Sequence, residues 1–264
     1  MSVPSSSGWL GPPPLPEQLA GAAAITHLIL LDVDGTLLSA LPGGNKHQHD
    51  SFRVALRECW GVDGGLEDVE HSGKTDKWIL RDLHAITRCE LPVEAAIAAA
   101  AARMEAHCAA AGADAGAGLE VLPGVRELLA ALARGGRAAC GLVTGNLQSI
   151  AWGKLRALGL APAAGGPFVC GGFGSDAEDR AELIRTAIAR ARTHLPGLRA
   201  DLRVFHVGDT LRDLDAARRA GVRALGVATG AVSQAALEAA AVEGQAVLPG
   251  LADVAAALRV FGLE

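Results

Sequence analysis

Short apolar runs that each stop at an acid, a hydroxyl or a glycine punctuate this chain, and they leave few folds open. Residues 27–32 (HLILLD) are apolar up to a terminal aspartate. Runs of the same kind stand at 138–143 (AACGLV), 203–207 (RVFHV) and 222–228 (VRALGVA), with weaker candidates at 167–170 and 245–248. Their length and lack of alternation suit strands buried on both faces, as in a parallel sheet. Helical patterns fill the gaps. Val125, Leu128, Leu129 and Leu132 keep one face; Ile150, Leu155 and Leu158 keep another, with Gly159 as a stop. Leu183, Ile184, Ala187 and Ile188 mark a third helix, and Leu214, Ala217 and Ala220 a fourth, ended by Gly221. Alternating strands and helices predict an α/β fold with a parallel sheet covered on both faces.

One stretch breaks the alternation. From about residue 43 to 120 there are helical stripes and no convincing strand. Phe52, Ala55, Leu56, Cys59 and Trp60 form one stripe, and Ile79, Leu83 and Ile86 another. Pro92 stands where a third helix can start, with an alanine-rich body behind it. Leu41-Pro42-Gly43-Gly44 opens the stretch and a glycine/alanine tract, 112–118, closes it. Glycine at both ends suits hinges. The expectation is an all-helical cap over 43–118, inserted into a core formed by 27–42 and 119–264, with Trp60 and Trp78 in the cap's interior. Residues 1–26, rich in proline and without a basic start, read as a flexible leader and not as a signal peptide.

Composition narrows the function. The chain has 264 residues and a formal charge of -5, from 24 basic and 29 acidic side chains. No basic stripe suggests nucleic acid as a partner. The five cysteines form no CxxC pair, so free thiols in a reducing cytosol are expected, not a zinc site or a disulfide framework. No apolar run suits a membrane span, and a cytoplasmic location is the default.

Chemistry is expected where strands end, since open α/β sheets bind ligands at their carboxyl edge. The first run ends in Asp32-Val33-Asp34-Gly35-Thr36. Two carboxylates so close at a buried strand end repel, and a cation would relieve that repulsion. A carboxylate can attack phosphorus, and a second can protonate the departing oxygen and later activate water. The second motif is Thr144-Gly145-Asn146, whose hydroxyl and backbone amides suit a phosphate oxygen. The third is Gly208-Asp209-Thr210-Leu211-Arg212-Asp213, in which Asp209 and Asp213 can converge on a hard cation. Acids from two strand ends without a histidine–cysteine cluster favour magnesium over zinc.

LLDVDGTLL (30–38), VTGN (143–146) and VGDTLRD (207–213) occur in an order that resembles the haloacid dehalogenase superfamily, in its phosphoglycolate-phosphatase-like branch with a helical cap. The resemblance covers nearly everything after residue 26. It implies a Rossmann-like core and a Mg2+-dependent phosphatase acting on a small phosphorylated metabolite, as a monomer or homodimer. It implies Asp32 as nucleophile and metal ligand, and Asp34 as acid/base with its main-chain carbonyl on the metal. It implies phosphate contacts from Thr144, Gly145 and Asn146, a metal ligand in Asp209, and support of the metal by Asp213. The family's usual lysine, between the second and third motifs, has no counterpart in the stretch expected for it, and Lys154 lies closer to the second motif. Arg180 is the best substitute for it, in catalysis and in phosphate binding, and Lys154 is the other option. In the cap, His71, Lys74 and Thr75 are candidates for substrate contact.

Plainer readings stand beside these. Thr144–Asn146 can be a helix cap, Asp209/Asp213 an N-cap with a first-turn acid, and Arg180 a solvated helix residue. Residues 71–76 can be a turn and a helix cap, and His47 and His49 surface residues. Joint occurrence at three strand ends favours the site. Other activities compatible with the resemblance are a phosphomutase and a phosphonate-cleaving enzyme using a cap lysine (Lys46, Lys74 or Lys77). A non-catalytic module that binds phospho-ligands is the alternative of another class.

Overall fold

The computed structural model describes residues 24–161, 167–195 and 197–264. The leader expected over 1–26 lies almost wholly outside them, and Ile25 and Thr26 already belong to the first strand. In chain order the elements begin with β1 (Ile25–Leu31) and β2 (Leu38–Ala40). The helical insert follows: α1 (Lys46–Ala55), continued by a π-turn at Leu56–Trp60, then α2 (Asp76–Ile86) and α3 (Val93–Ala111). The chain returns through β3 (Leu119–Val121) to α4 (Val125–Gly135), β4 (Ala138–Thr144), α5 (Gln148–Ala157) and β5 (Phe168–Phe173). It ends with α6 (Arg180–His194), β6 (Leu198–Gly208), α7 (Leu211–Ala220), β7 (Arg223–Val227), α8 (Gln234–Ala240), β8 (Gln245–Leu248) and α9 (Val254–Phe261).

Six strands make one sheet in the order β5-β4-β1-β6-β7-β8, with every neighbouring pair parallel. β1 is central because its side chains are apolar on both faces. Ile29 and Leu31 join one buried cluster with α4, α5 and α9, and Leu28 and Leu30 join a second with α6 and α7. The weakest strand expectations, near 167 and 245, are real edge strands.

β2 and β3 were not foreseen. They pair antiparallel, Leu38 with Val121 and Ala40 with Leu119, at the points where the insert leaves and rejoins the core. Three residues each are too few to show a period. Their crossing is tight: a side chain at Gly44 would run into the Gly118 carbonyl. The insert has its own interior, built from residues such as Phe52, Leu56, Leu80, Leu83 and Met104, and Leu147 and Ile150 of the core complete it. Trp60 is buried there, donating to the Ala96 carbonyl. Trp78 is not; Lys74 and Arg212 lie over its ring at the junction of insert and core. Ile86, expected on the stripe, ends α2 at 59% exposure.

Candidate active site

The three motifs meet at the carboxyl edge of the sheet because β1, β4 and β6 are neighbours. Asp32 follows β1, and only 4% of it is exposed. Its Oδ1 accepts from the Val33 amide at 2.7 Å and its Oδ2 from Arg180 Nη1 at 2.9 Å. Burial raises its pKa, Arg180 opposes the rise, and the Asp213 charge adds to it. Arg180 opens α6 behind Asp179, whose side chain caps the helix. It is not a solvated residue: 7% is exposed, and the same Nη1 also donates to Asp213 Oδ1 at 2.8 Å. Its Nη2 reaches the Gly73 carbonyl at 3.3 Å, and its buried Nε has no hydrogen-bond partner among the described residues.

Asp34 meets the other cation. Lys154 Nζ lies 2.9 and 2.8 Å from its two oxygens, and Asn146 Nδ2 donates to Oδ2 at 2.7 Å. Burial works to raise the Asp34 pKa, but the Lys154 charge and the bonds from Lys154 and Asn146 hold it below the ordinary carboxylate value. The two cations weighed for one place therefore have separate places: Arg180 serves Asp32 and Lys154 serves Asp34. Lys154 comes from the second turn of α5, a proximity in space that distance along the chain does not reveal.

Thr144 ends β4, and its hydroxyl accepts from the Asn146 amide and side chain at 3.3 and 2.9 Å. Neither caps α5, whose N-cap is Leu147 without a side-chain bond. Gly145 receives the insert. Its carbonyl accepts from the Asp76 amide at 2.8 Å, and a Cβ there would meet the Lys74 carbonyl at 2.5 Å.

Asp209 and Asp213 differ sharply. Asp213 spends both oxygens on protein donors: Oδ1 on Arg180 and His206 Nε2 (2.9 Å), and Oδ2 on the Thr210 amide and hydroxyl (3.0 and 2.6 Å). It forms a reciprocal cap with Thr210 at the start of α7, so the plainer reading holds for Asp213 as a first-turn acid, while the N-cap is Thr210 and not Asp209. Burial acts to raise its pKa, but Arg180 and His206 hold it well below the ordinary range. Among the described residues the Asp209 carboxylate accepts one long bond, from the Thr36 hydroxyl at 3.4 Å. Burial, then Asp213 and Asp32, push its pKa up to about 8. Gly35 and Gly230 press against it so closely that a Cβ on either would strike its carboxylate.

Oxygens of Asp32, Asp209 and Asp213 lie within 4.8 Å of one another. The donor set is all hard oxygen, and Asp209 is a buried carboxylate short of donors. A divalent cation fits this set and would relieve it. Asp32 and Asp209 have the capacity to ligate it; Asp213, already saturated, is placed to hold Arg180.

A cavity of about 430 Å³ opens over these groups, walled on the insert side by Asn45, Gln48, His49, Leu66, His71 and Ile79. His71 lines this cavity. His49, expected on the surface, lines it too. Lys74 lines it as well, with its ammonium held by the Glu70 carbonyl at 2.7 Å and Asp82 at 2.8 Å. Thr75 is buried, donates to the Glu178 carbonyl and caps α2, which is the plainer reading of that segment.

Four residues were given no role of their own by the sequence. His206 is fully buried in β6, facing acceptors on both ring nitrogens, the Leu30 carbonyl and Asp213. A histidine inside an apolar run was the available signal. Thr36 sits under Asp209, and no spacing marks it. Gln48 and Asp76 belong to the insert and bond each other at 3.1 Å. Asp76 is 2% exposed; its other oxygen accepts from the Leu147 amide at 2.8 Å. Burial raises its pKa from 3.8 to about 6, against the Leu147 bond and the Lys154 charge. The folded state thus holds this proton more tightly than the unfolded chain. The resulting stability is full below about pH 4 and is lost as pH rises through about 6. Asp76→Asn is expected to flatten that fall by on the order of 2–3 kcal/mol between about pH 4 and pH 7. Denaturant unfolding at each pH reads it, and parallel profiles for the two proteins would refute it.

Several solved structures share this fold. A hydrolase from Pseudomonas syringae superposes with a TM-score of 0.61 at 20% identity, covering 89% of this chain and 98% of the other. CbbY from Rhodobacter sphaeroides, solved in complex with phosphate, gives 0.57 at 19% identity, covering 87% and 96%. A haloacid dehalogenase-like family protein from Streptococcus pneumoniae gives 0.52 at 21%, covering 90% and 98%. At these identities the likeness speaks for the fold. A sequence comparison with curated proteins gives no match. Residues 26–221, which hold all three motifs and the whole helical insert, match the profile of the haloacid dehalogenase-like hydrolases, and the chain belongs to that family.

Proposed function

We propose that the protein is a magnesium-dependent phosphatase that hydrolyses a small phosphate monoester through a phosphorylated Asp32. One observation carries this reading: a buried carboxylate, Asp32, faces a cavity beside a second carboxylate, Asp34, while a bridging arginine and a donor-poor Asp209 supply and invite positive charge. Mg2+ held by Asp32, Asp209 and the Asp34 main-chain carbonyl would neutralise phosphoryl oxygens. Thr144, Gly145 and Asn146 line the same cavity and are the proposed phosphate contacts, with the unpartnered Nε of Arg180.

Asp32 attacks phosphorus in line as the bond to the ester oxygen breaks, and Asp34 gives that oxygen a proton. Asp34 is held as a carboxylate here; the dianionic phosphoryl group beside it raises its proton affinity, so substrate arms the acid. Asp34 then takes a proton from water, which attacks phosphorus and breaks the Asp32–phosphorus bond. Phosphate leaves and Asp32 is restored.

Residues 43–118 are the proposed cap, clamped at its base by β2 and β3. Cap closure would exclude bulk water and select the leaving group. The cavity has room for a small phosphate monoester such as phosphoglycolate and for larger ones, and His71 and His49 line it. The Lys74 and Lys77 ammoniums are committed to Asp82 and to the Ser175 carbonyl, and Lys46 is outside the cavity lining, which weakens the case for an imine-forming enzyme.

The test is phosphate release from a panel of small monoesters with Mg2+ and after chelation. Magnesium-dependent release is expected. Isomer formation without release would point to a mutase, and tight binding without turnover to a binding module; either overturns the reading.

A further inference from the structure

Lys154 is 2% exposed, and its ammonium has three hydrogens for four oxygens: two on Asp34, Gln48 Oε1 at 2.6 Å and Asn146 Oδ1 at 3.1 Å. Gln48 comes from α1 in the insert, while Asp34, Asn146 and Lys154 come from the core. The Gln48 amide is held at both ends: Oε1 also accepts from Asn45 at 2.8 Å, and Nε2 donates one hydrogen to Asp76 at 3.1 Å. A flipped amide would point its hydrogens at the ammonium, so one orientation is fixed. Asn45, at the insert's entry, has a left-handed backbone at φ 57, the single non-glycine of that kind among the described residues. The contact between Gln48 and Lys154 therefore lies beside a strained joint between the two units.

We propose that Lys154 is a positioning residue for Asp34, and that Gln48 makes this positioning depend on the insert being docked. The proposal rests on the phosphatase reading. Lys154 and Asn146 grip Asp34 from the core, which fixes the carboxylate toward the cavity. Gln48 accepts the ammonium hydrogen left over and so holds the lysine in line. When the insert swings away, Gln48 leaves, the ammonium loses an acceptor in a buried place, and Asp34 loses its fixed aim. The acid works only under a closed cap, so protons are not delivered to an open site. Arg180, not Lys154, serves the attacking carboxylate, so the device acts on one half of the reaction, proton delivery to the leaving oxygen.

The leaving group separates this from a general structural role. A dinitrophenolate departs without a proton, whereas an alkoxide needs one. The constant kcat/KM reports the steps through leaving-group departure and not the later hydrolysis of phosphorylated Asp32. Lys154→Met and Gln48→Met are to be compared with the unaltered enzyme on glycerol phosphate and on 2,4-dinitrophenyl phosphate. Expected for Lys154→Met is a loss in kcat/KM of about 10²-fold on the alkyl ester, and at least about tenfold less on the dinitrophenyl ester. Gln48→Met should show the same pattern, at about tenfold on the alkyl ester. Thermal unfolding of both variants checks the fold, and Gln48→Met carries the test if Lys154→Met does not fold. Equal losses on both esters, or none, overturn the proposal and leave the phosphatase reading standing. No hydrolysis of either ester by the unaltered enzyme overturns the phosphatase reading instead.

Discussion

Asp32→Asn is expected to remove at least about 10⁴-fold of phosphate release while leaving the fold in place. The amide keeps the shape of the carboxylate, and its one oxygen can still accept from the Val33 amide, while its NH2 replaces the oxygen that accepted from Arg180 Nη1. It cannot form a phosphoester that water readily cleaves. Its effect on stability should be small. Burial disfavours the Asp32 charge, and Asp213 adds to that, so losing the charge offsets much of the lost pairing with Arg180. The pKa of Asp209 should also fall, because the Asp32 charge is one of the causes that raise it. Phosphate release and thermal unfolding, with mass spectrometry to exclude deamidation, check this. Retention of more than about one per cent of the activity would sink the nucleophile assignment.

Loss of Arg180 should be nearly as severe and should cost stability too. Its Nη1 bridges Asp32 and Asp213, both almost fully buried. Arg180→Met leaves those charges facing each other beside Asp209, and breaking a buried pair by removing one partner costs about 3–5 kcal/mol. Catalysis is expected to drop by about 10³-fold or more, in the range of arginines that neutralise a transferring phosphoryl group. Arg180→Lys makes the reading discriminating. One nitrogen does the bridging, which a compact ammonium can also do, but lysine lacks the Nε proposed for phosphate and the Nη2 bond to Gly73, so this variant should keep stability better than Arg180→Met and show activity between that of Arg180→Met and the unaltered enzyme. Denaturant unfolding and phosphate release measure both effects. Equal activity in Arg180→Met and the unaltered enzyme would place the required charge elsewhere.

The core was legible because its signals are local. Apolar runs mark the strands, glycines mark helix ends, and a buried strand end with two carboxylates is too costly to be incidental. Asp32, Asp34, Thr144, Asn146 and Asp209 line one cavity, as the motifs imply. The insert was legible as helical from its stripes. What it does at the site was not, since Lys74 and Thr75 turn to ion pairing and helix capping while His49 and Gln48 face the cavity. A stripe gives the buried face of a helix and says nothing of which neighbour its ends meet.

The sequence by itself determined the α/β core, the helical insert after the first strand and the acids at the strand ends, since each follows from period, turn chemistry or like-charge repulsion within a few residues. The tertiary structure alone decided which cation meets which carboxylate. Arg180 and Asp32 are joined across 148 positions and Lys154 and Asp34 across 120. Pairing over such separations is set by the parallel order of β1, β4, β5 and β6, which brings α5 and α6 to the same edge from different parts of the chain.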